Sequence, residues 1–338
     1  MKMKLPFLIL LIATLIVSCK DDVKKNVDTK EDGKILKIKS YLTEQAKKDS
    51  LHGVVLIGKK DEIILNKAYG YVDLDAIENH TLEGQLGLAS MGKMFTALTI
   101  IKLESQGKLA LEDLASNYLN DIENNVIRDS VKIKHFLSHT SGLGSYWDEL
   151  GDDERGNDLD YVYSLIKNDT LVGSFGKHNY SNSGYIFLGK IIEKVTGMPY
   201  SEYVQKNILN PCQMSSTEIN SPDGGGKTTA EDMWKFGQAL RKREFVDDDK
   251  FKIMIQKQSD GDYGYGFMVK NLNGSKIYGH TGGYWLEGEK LGVATALDII
   301  NEEYTVVVLT NRNPSLGGKK VRDYLHEALT SEGENTNQ

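Results

Sequence analysis

Two kinds of hydrophobic pattern alternate along the chain. Apolar residues that recur three or four positions apart predict helices, and this spacing occurs at residues 35–48, 91–103, about 133–209, 228–240 and 319–329. Short apolar runs between turn residues predict strands, at residues 53–57, 62–72, 264–269, 276–278, 293–300 and 304–309. The predicted strands therefore occupy both ends of the chain, with helices between them.

This order predicts an α+β fold, in which one antiparallel sheet is built from both chain ends and is flanked by helices. The middle of the chain, at about 95–215, would form a mainly helical lobe. We expect an active site where the sheet and the lobe meet. The folded domain is predicted to span residues 35–330, and the polar tail at 331–338 is expected to be disordered.

The first residues have the features of a secretory signal. Lys2 and Lys4 precede an apolar run, residues 5–17, that is too short to span a bilayer. Residues 1–18 are therefore predicted to be a signal peptide. The ending I-V-S-C resembles the lipobox of bacterial lipoproteins, which implies that Cys19 is lipidated and becomes the first mature residue. The alternative is a plain signal peptide that happens to contain a cysteine.

The segment that follows this signal is charged and has almost no large apolar residues, so residues 19–34 are predicted to be a lipidated, flexible tether. Such an anchor would hold the protein at a membrane of the bacterial cell envelope. The K-D-D sequence at residues 20–22 resembles the export tag of surface lipoproteins in some Gram-negative bacteria. The expected location is therefore the outer membrane, with exposure at the cell surface.

Composition narrows the function classes. The 338 residues include 41 Lys and Arg against 48 Asp and Glu, for a formal net charge of −7, so nothing supports nucleic-acid binding. The two cysteines, Cys19 and Cys212, supply neither a disulfide framework nor a cysteine-based zinc site. His135 and His139 have the spacing of a helical metal pair, but a structural role is the preferred interpretation. No metal or organic cofactor is predicted.

A candidate nucleophile comes from the spacing of serine and lysine. In S-x-x-K on a helix the hydroxyl and the amine share a face, and the amine can take the proton of the serine. The pattern begins at Ser90, Ser105, Ser164 and Ser174. Among these, Ser90 alone follows a strand region and opens a long apolar helix. Ser90 and Lys93 are therefore the predicted pair.

Several motifs in a fixed order carry a family resemblance. They are residues 87–96 (G-L-A-S-M-G-K-M-F-T), 136–143 (F-L-S-H-T-S-G-L), 180–182 (Y-S-N), 229–232 (T-A-E-D) and 280–283 (H-T-G-G). Together they resemble the β-lactamase-related serine hydrolases, which include class C β-lactamases, serine DD-peptidases, D-aminopeptidases and related esterases. The resemblance runs from about residue 51 to residue 312 and implies the DD-peptidase/β-lactamase fold.

The resemblance also implies a role for each matching residue. Ser90 would be the nucleophile and Lys93 its proton acceptor or an electrostatic helper. Tyr180 would pass protons between Ser90 and the leaving group. Asn182 would hydrogen-bond the substrate amide and Lys93. The backbone N–H groups of Ser90 and Gly283 would form the oxyanion hole.

His280, Thr281 and Gly282 stand where the family has K-T-G, and they are predicted to bind substrate. Histidine here replaces a fixed positive charge, and an unperturbed imidazole changes its charge near pH 6.5. We therefore expect substrates that carry a carboxylate to bind better as the pH falls through that value. The class A motif S-D-N is absent, so the resemblance favours peptidases over efficient β-lactamases.

The sequence thus predicts a serine hydrolase that forms an acyl-enzyme with amides or esters, most of all with D-amino-acid peptides of the peptidoglycan type. An esterase or a weak β-lactamase is the alternative within this class. A catalytically idle penicillin-binding or sensing module is the alternative from another class. The expected partners are a small-molecule or peptide substrate and, through the lipid on Cys19, a membrane. The oligomeric state stays open.

Overall fold

The computed structural model describes residues 29–75, 77–150, 156, 158–285, 290–312 and 317–331. The predicted signal peptide, Cys19 with most of its tether, and the tail after residue 331 lie outside the described residues. Within the described part of the chain, no helix is long and apolar enough to cross a membrane.

The main elements follow the predicted order of strands, helices and strands. The helices are α1 (Thr29–Lys47), α2 (Lys93–Ser105), α3 (Asn125–Ser130), α4 (Ile133–Leu137), α5 (Trp147–Leu150), α6 (Leu159–Ile166), α7 (Asn182–Thr196), α8 (Tyr200–Val204), α9 (Ala230–Arg241), α10 (Asp248–Met254) and α11 (Gly318–Thr330). The strands are β1 (Gly53–Lys59), β2 (Glu62–Tyr69), β3 (Leu86–Gly87), β4 (Glu218–Ile219), β5 (Gly226–Thr228), β6 (Met268–Leu272), β7 (Ser275–Trp285), β8 (Leu291–Ile300) and β9 (Tyr304–Arg312).

The main sheet joins the two ends of the chain. Its strand order is β2-β1-β9-β8-β7-β6, and each neighbouring pair is antiparallel. Val54 on β1 lies opposite Leu309 on β9, so the first strand of the chain pairs with the last. A small second sheet has the order β3-β5-β4. These observations confirm the predicted α+β fold with one antiparallel sheet built from both chain ends.

Successive side chains of the central strands enter two different cores. Val54 and Leu56 belong to the larger, helix-rich core, whereas Val55 and Ile57 belong to a smaller core beneath α1 and α11. Successive side chains of a strand point to opposite faces, so a strand covered by helices on both sides must be apolar along its whole length. The continuous apolar run at residues 53–57 meets this requirement.

The helical lobe lies between β3 and β4 in the chain. It contains α2 to α8, residues 93–204. Helices α2 and α7 pack against each other, and both are largely buried. A 3₁₀ turn, Ala89–Gly92, precedes α2 and packs on β7. The start of α2 is therefore the point at which the lobe meets the sheet.

The beginning of α1 corrects the predicted tether. The helix starts at Thr29, so residues 29–34, which were expected to be flexible, are helical. The prediction relied on the absence of apolar residues, but lysine and glutamate are good helix formers without them. The expected flexibility of residues 19–28 stays a prediction, because these residues lie outside the described part of the chain.

Two strand bounds also differ from the prediction. β2 ends at Tyr69 rather than at residue 72, because Gly70 follows it with a φ of +64°. β6 begins at Met268 rather than at residue 264. The residues before β6 form a turn in which the Gly264 N–H donates to the Phe267 carbonyl and Gly266 has a φ of +78°. In both places glycine in the left-handed region interrupts the extended backbone.

Candidate active site

Ser90 lies in the 3₁₀ turn that opens α2, and two glycines from other segments lie against this turn. A Cβ atom on Gly224 would lie 2.1 Å from the Ala89 carbonyl oxygen, and one on Gly282 would lie 2.5 Å from the Leu88 carbonyl oxygen. Any larger residue would therefore displace the turn. Ala89 itself has a φ of +43°, in the left-handed region that non-glycine residues rarely occupy. The nucleophile candidate is held by close backbone packing.

Lys93 follows one turn later with its side chain fully buried (0% exposed). Its Nζ donates to Ser90 Oγ at 3.2 Å, to Asn182 Oδ1 at 2.7 Å and to the Asp223 carbonyl oxygen at 2.5 Å. These three acceptors match the three donors of an ammonium group. When the amine has lost one proton, Nζ is positioned to accept the proton of the Ser90 hydroxyl.

Asn182 is positioned by the start of α7. The N-cap Ser181 accepts a hydrogen bond from the Gly184 N–H at 2.9 Å and donates its hydroxyl to the Gly144 carbonyl at 2.8 Å. The Asn182 amide nitrogen donates to Ser145 Oγ at 3.0 Å, which leaves the amide oxygen directed at Lys93. The motif Y-S-N therefore works as a helix cap as well as a supplier of polar groups.

His139 positions Tyr180 through hydrogen bonds to the residues before and after it. The His139 carbonyl accepts from the Asn179 N–H at 2.7 Å, and His139 Nδ1 accepts from the Ser181 N–H at 3.1 Å. Its imidazole also packs on the Tyr180 ring, with centroids 4.2 Å apart. Tyr180 is 42% exposed, so these contacts rather than burial fix its place.

The imidazole of His139 is suited to this position because it is neutral. Burial and the nearby Lys93 charge hold the pKa of His139 well below its usual range. Its Nδ1 accepts a hydrogen bond, so Nε2 carries the proton, and the described residues offer that N–H no acceptor. The preferred structural interpretation of His139 agrees with these contacts, and they tie it to Tyr180.

The structure corrects the expected role of His280. Its side chain is only 2% exposed, with Nε2 beside the Tyr263 hydroxyl at 2.9 Å and Nδ1 beside the Thr281 carbonyl. Burial, followed by the charge of Lys93, lowers the pKa of His280 to about 3. The imidazole is therefore neutral at ordinary pH, and it is buried on β7 against Tyr263. It does not present a titrating charge to a substrate carboxylate.

Ser90 opens onto a cleft between the lobe and β7, with a volume of about 280 Å³. Its lining, called the Ser90 cleft here, consists of Gly87, Ala89, Ser90, Tyr146, Trp147, Asn182, Ser221, Asp223, Gly224, Gly225, Gly226, Gly283, Tyr284 and Val293. Among the described residues β6 pairs with β7 as far as Gly279, so the next part of β7 is not covered by that strand. Gly283 and Ser90 line the same cleft, as an oxyanion hole requires.

Asp223 and Tyr146 complete the site, and sequence reasoning missed both. Asp223 offers its main-chain carbonyl to Lys93, while its carboxylate accepts from the Tyr146 hydroxyl at 3.2 Å and from the Ser221 hydroxyl. Burial, with the nearby Asp223 charge, raises the pKa of Tyr146 well above its usual range. The only available signal was the run of glycines that follows Asp223, because a carbonyl acceptor leaves no trace in side-chain patterns.

Residues 38–330 match the family described as Beta-lactamase. The chain belongs to the Beta-lactamase family. Its curated relatives include penicillin-binding protein 4* of Bacillus subtilis (strain 168), which is 26% identical over 321 residues, a match that covers 78% of this chain and 69% of the relative.

Solved structures agree on the Beta-lactamase fold. A penicillin-binding protein from Bacillus halodurans has 24% identity and a TM-score of 0.72, over 85% of this chain and 98% of that chain. The D-amino acid amidase from Ochrobactrum anthropi SV3 has 17% identity and a TM-score of 0.75, over 89% and 100% of the two chains. The predicted DD-peptidase/β-lactamase-like fold is therefore confirmed, and the chain is a member of a family that contains serine hydrolases.

A second cavity lies beside the Ser90 cleft and has a volume of about 290 Å³. It is called the outer cavity here. Gly283 lines both. Thr281, Lys319 and Arg322 also line the outer cavity, so Thr281 faces α11 rather than the lobe. The Arg322 Nε and Nη2 donate to the buried Asp298 carboxylate at 2.6 and 2.7 Å, and for its Nη1 the described residues provide no acceptor.

The predicted site residues thus divide into two groups. Ser90, Lys93 and Asn182 are joined by hydrogen bonds, and the Tyr180 ring centroid lies 5.1 Å from Lys93 Nζ. His280 is buried on β7, Gly282 packs on the Ser90 turn, and Thr281 and Gly283 line cavities. Within the described residues there is no group of three or more His, Cys, Asp or Glu that could hold a metal ion.

The neutral state of His280 predicts a specific pH dependence of stability. With a folded pKa of about 3 and an unfolded value near 6.5, the unfolded chain binds more protons as the pH falls, so the free energy of unfolding decreases. In His280→Gln this decrease should be smaller by up to about 1.4 kcal/mol per pH unit. Urea denaturation at pH 7.5, 6.5 and 5.0 measures the free energy of unfolding of the wild-type protein and the variant. From pH 7.5 to 6.5 the free energy of unfolding should change almost equally in the two proteins. Equal changes below pH 6.5 would contradict the assignment of a neutral, buried His280.

Proposed function

We propose that this protein is a serine hydrolase that forms an acyl-enzyme on Ser90. The observation that carries the proposal is the 3.2 Å contact between Ser90 Oγ and a fully buried Lys93 Nζ. A buried lysine is held next to a hydroxyl at a cleft, and its other two contacts, to Asn182 and the Asp223 carbonyl, fix its direction. This is the arrangement that activates a serine without histidine.

The chemistry follows from these positions. Ser90 Oγ attacks the substrate carbonyl carbon while its proton passes to the unprotonated Lys93 amine, and the backbone N–H groups of Ser90 and Gly283 receive the developing negative charge. The bond to the leaving group then breaks. Tyr180 supplies the proton that the leaving group needs and regains one from Lys93. Water attacks the acyl-enzyme in the second half, the carboxylic acid leaves, and Ser90 recovers its proton.

The favoured substrates are D-amino-acid peptides that end in a carboxylate. The neutral His280 supplies no charge for such a group, but the outer cavity adjoins the Ser90 cleft at Gly283 and carries Lys319 and Arg322. A leaving residue in that cavity would place its carboxylate near both cations. Relatives and neighbours that are penicillin-binding proteins and a D-amino acid amidase support this class. Small esters and weak β-lactam hydrolysis remain the alternatives, as does an idle binding module.

The first test concerns the nucleophile. A fluorophosphonate probe and a fluorescent penicillin should label the wild-type chain, and Ser90→Ala should abolish both labelling and hydrolysis because it removes only a hydroxyl. Ser105→Ala is the matched control, since Ser105 begins the same S-x-x-K spacing at the far end of α2. An unlabelled wild-type chain would favour the binding module, and labelling that survives in Ser90→Ala would refute the assignment.

The second test concerns the substrate carboxylate. Lys319→Gln should raise the KM for an N-acyl-D-Ala-D-Ala peptide about 2- to 5-fold. The effect is modest because Lys319 is exposed and already pairs with Asp323. The KM for the same peptide with a C-terminal amide should not change. Lys320→Gln is the control, because Lys320 is the next residue of α11 and does not line the outer cavity. Equal effects on acid and amide would place the carboxylate elsewhere.

We also propose that the protein is anchored to the bacterial outer membrane through a lipid on Cys19, and that it faces the cell surface. The support is the sequence pattern at residues 5–22. Cys19→Ala should move the protein from the membrane pellet to the soluble fraction, because the lipid rather than the charged tether provides membrane affinity. Cys212→Ala, a change at a buried cysteine, is the control and should stay in the pellet. A Cys19→Ala protein that still sediments with membranes would argue against the anchor.

A further inference from the structure

Two exposed aromatic side chains stand at the Ser90 cleft, one from each side. Trp147 begins α5 in the helical lobe and is 45% exposed, and Tyr284 lies on β7 and is 54% exposed. Their ring centroids are 6.4 Å apart. Leaving this much aromatic surface in water is unfavourable. Aromatic groups placed on both walls of a cleft beside a nucleophile are well suited to contact a ligand.

The Trp147 wall is supported by buried groups. Its indole stacks on the Tyr146 ring, with centroids 4.8 Å apart and planes at 27°. Tyr146 is buried, and its hydroxyl donates to the Asp223 carboxylate. Trp147 thus contacts Tyr146, Tyr146 binds Asp223, and the Asp223 carbonyl binds Lys93. These contacts fix the aromatic wall relative to the nucleophile. A ligand therefore loses little affinity to ordering this surface.

The polar groups of the cleft wall determine what kind of ligand fits. Asn182 is bonded to Lys93 and Ser145, and Ser221 and Asp223 are bonded to each other. Besides the buried Asp223, the described lining residues include no charged side chain. A sugar or a charged side chain in this cleft would lose its hydration and gain few partners apart from the Tyr284 hydroxyl. An apolar ring has no such cost.

We propose that Trp147 and Tyr284 form a subsite for a large aromatic or apolar side chain on the acyl part of the substrate, the part that becomes attached to Ser90. The inference rests on the proposed function and specifies its substrate class. The leaving part, with its carboxylate, occupies the outer cavity across Gly283. Trp147 and Tyr284 are specificity-determining residues, and they take no part in proton transfer.

The experiment compares two esters that differ only in the acyl side chain, the p-nitrophenyl esters of N-acetyl-D-phenylalanine and N-acetyl-D-alanine. Wild-type kcat/KM should be at least about tenfold higher for the phenylalanine ester, the range typical of apolar pockets. Trp147→Ala and Tyr284→Ala should each remove most of this preference, and Trp147→Phe should restore part of it. Trp285→Ala is the control, since Trp285 is equally exposed but lines the outer cavity, so the ratio of the two rates should not move.

Each outcome bears on a definite claim. Equal kcat/KM for both esters in a protein whose hydrolysis depends on Ser90 would overturn the subsite and leave the proposed function intact. A preference that survives in both alanine variants, or that Trp285→Ala also removes, would overturn it as well. If neither ester is hydrolysed, or if Ser90→Ala hydrolyses both, the proposed function fails and the subsite fails with it.

Discussion

The buried ammonium group of Lys93 is the constraint on which the rest of the site depends. An ion without partners inside a protein is so unfavourable that removing one partner of a buried pair typically costs about 3–5 kcal/mol. Lys93 draws its acceptors from Ser90 in the turn before its helix, from Asn182 on α7 and from the Asp223 carbonyl after β4. Three separate stretches of chain must therefore meet at one nitrogen atom. The cleft is the place where they meet.

The same requirement explains why the supporting residues have unusual backbones. The Asp223 carbonyl can reach Lys93 only if the next residue passes close to the Ser90 turn, and Gly224 does so with a φ of +132°. On the other side, Ser181 must cap α7 at the point where Asn182 faces Lys93, and the left-handed His139 (φ +58°) secures the preceding residues. Three positions with positive φ, at Ala89, His139 and Gly224, thus lie around the ammonium group.

How far the sequence could predict this site depends on which atoms take part. The sheet from both chain ends is visible in the hydrophobic periodicity. The S-x-x-K pair and the Y-S-N motif are visible because they rest on side-chain identity, which carries the family resemblance. The Asp223 carbonyl is invisible, since any residue has one, and Tyr146 is reached through Asp223 alone. His280 was misjudged for a related reason: its neighbours in sequence suggest a strand at the cleft, but its burial depends on Tyr263, seventeen positions away.

The neutral His280 also changes where charge can act on a substrate. Lys93 is occupied, and His139 and His280 are uncharged. The cationic side chains that line the outer cavity are Lys319 and Arg322. Arg322 is held by Asp298, which also bonds His326, so its guanidinium keeps one direction. Charge recognition and acyl-group recognition are thereby assigned to opposite sides of Gly283. A substrate that is apolar on one side of its scissile bond and anionic on the other matches both walls at once.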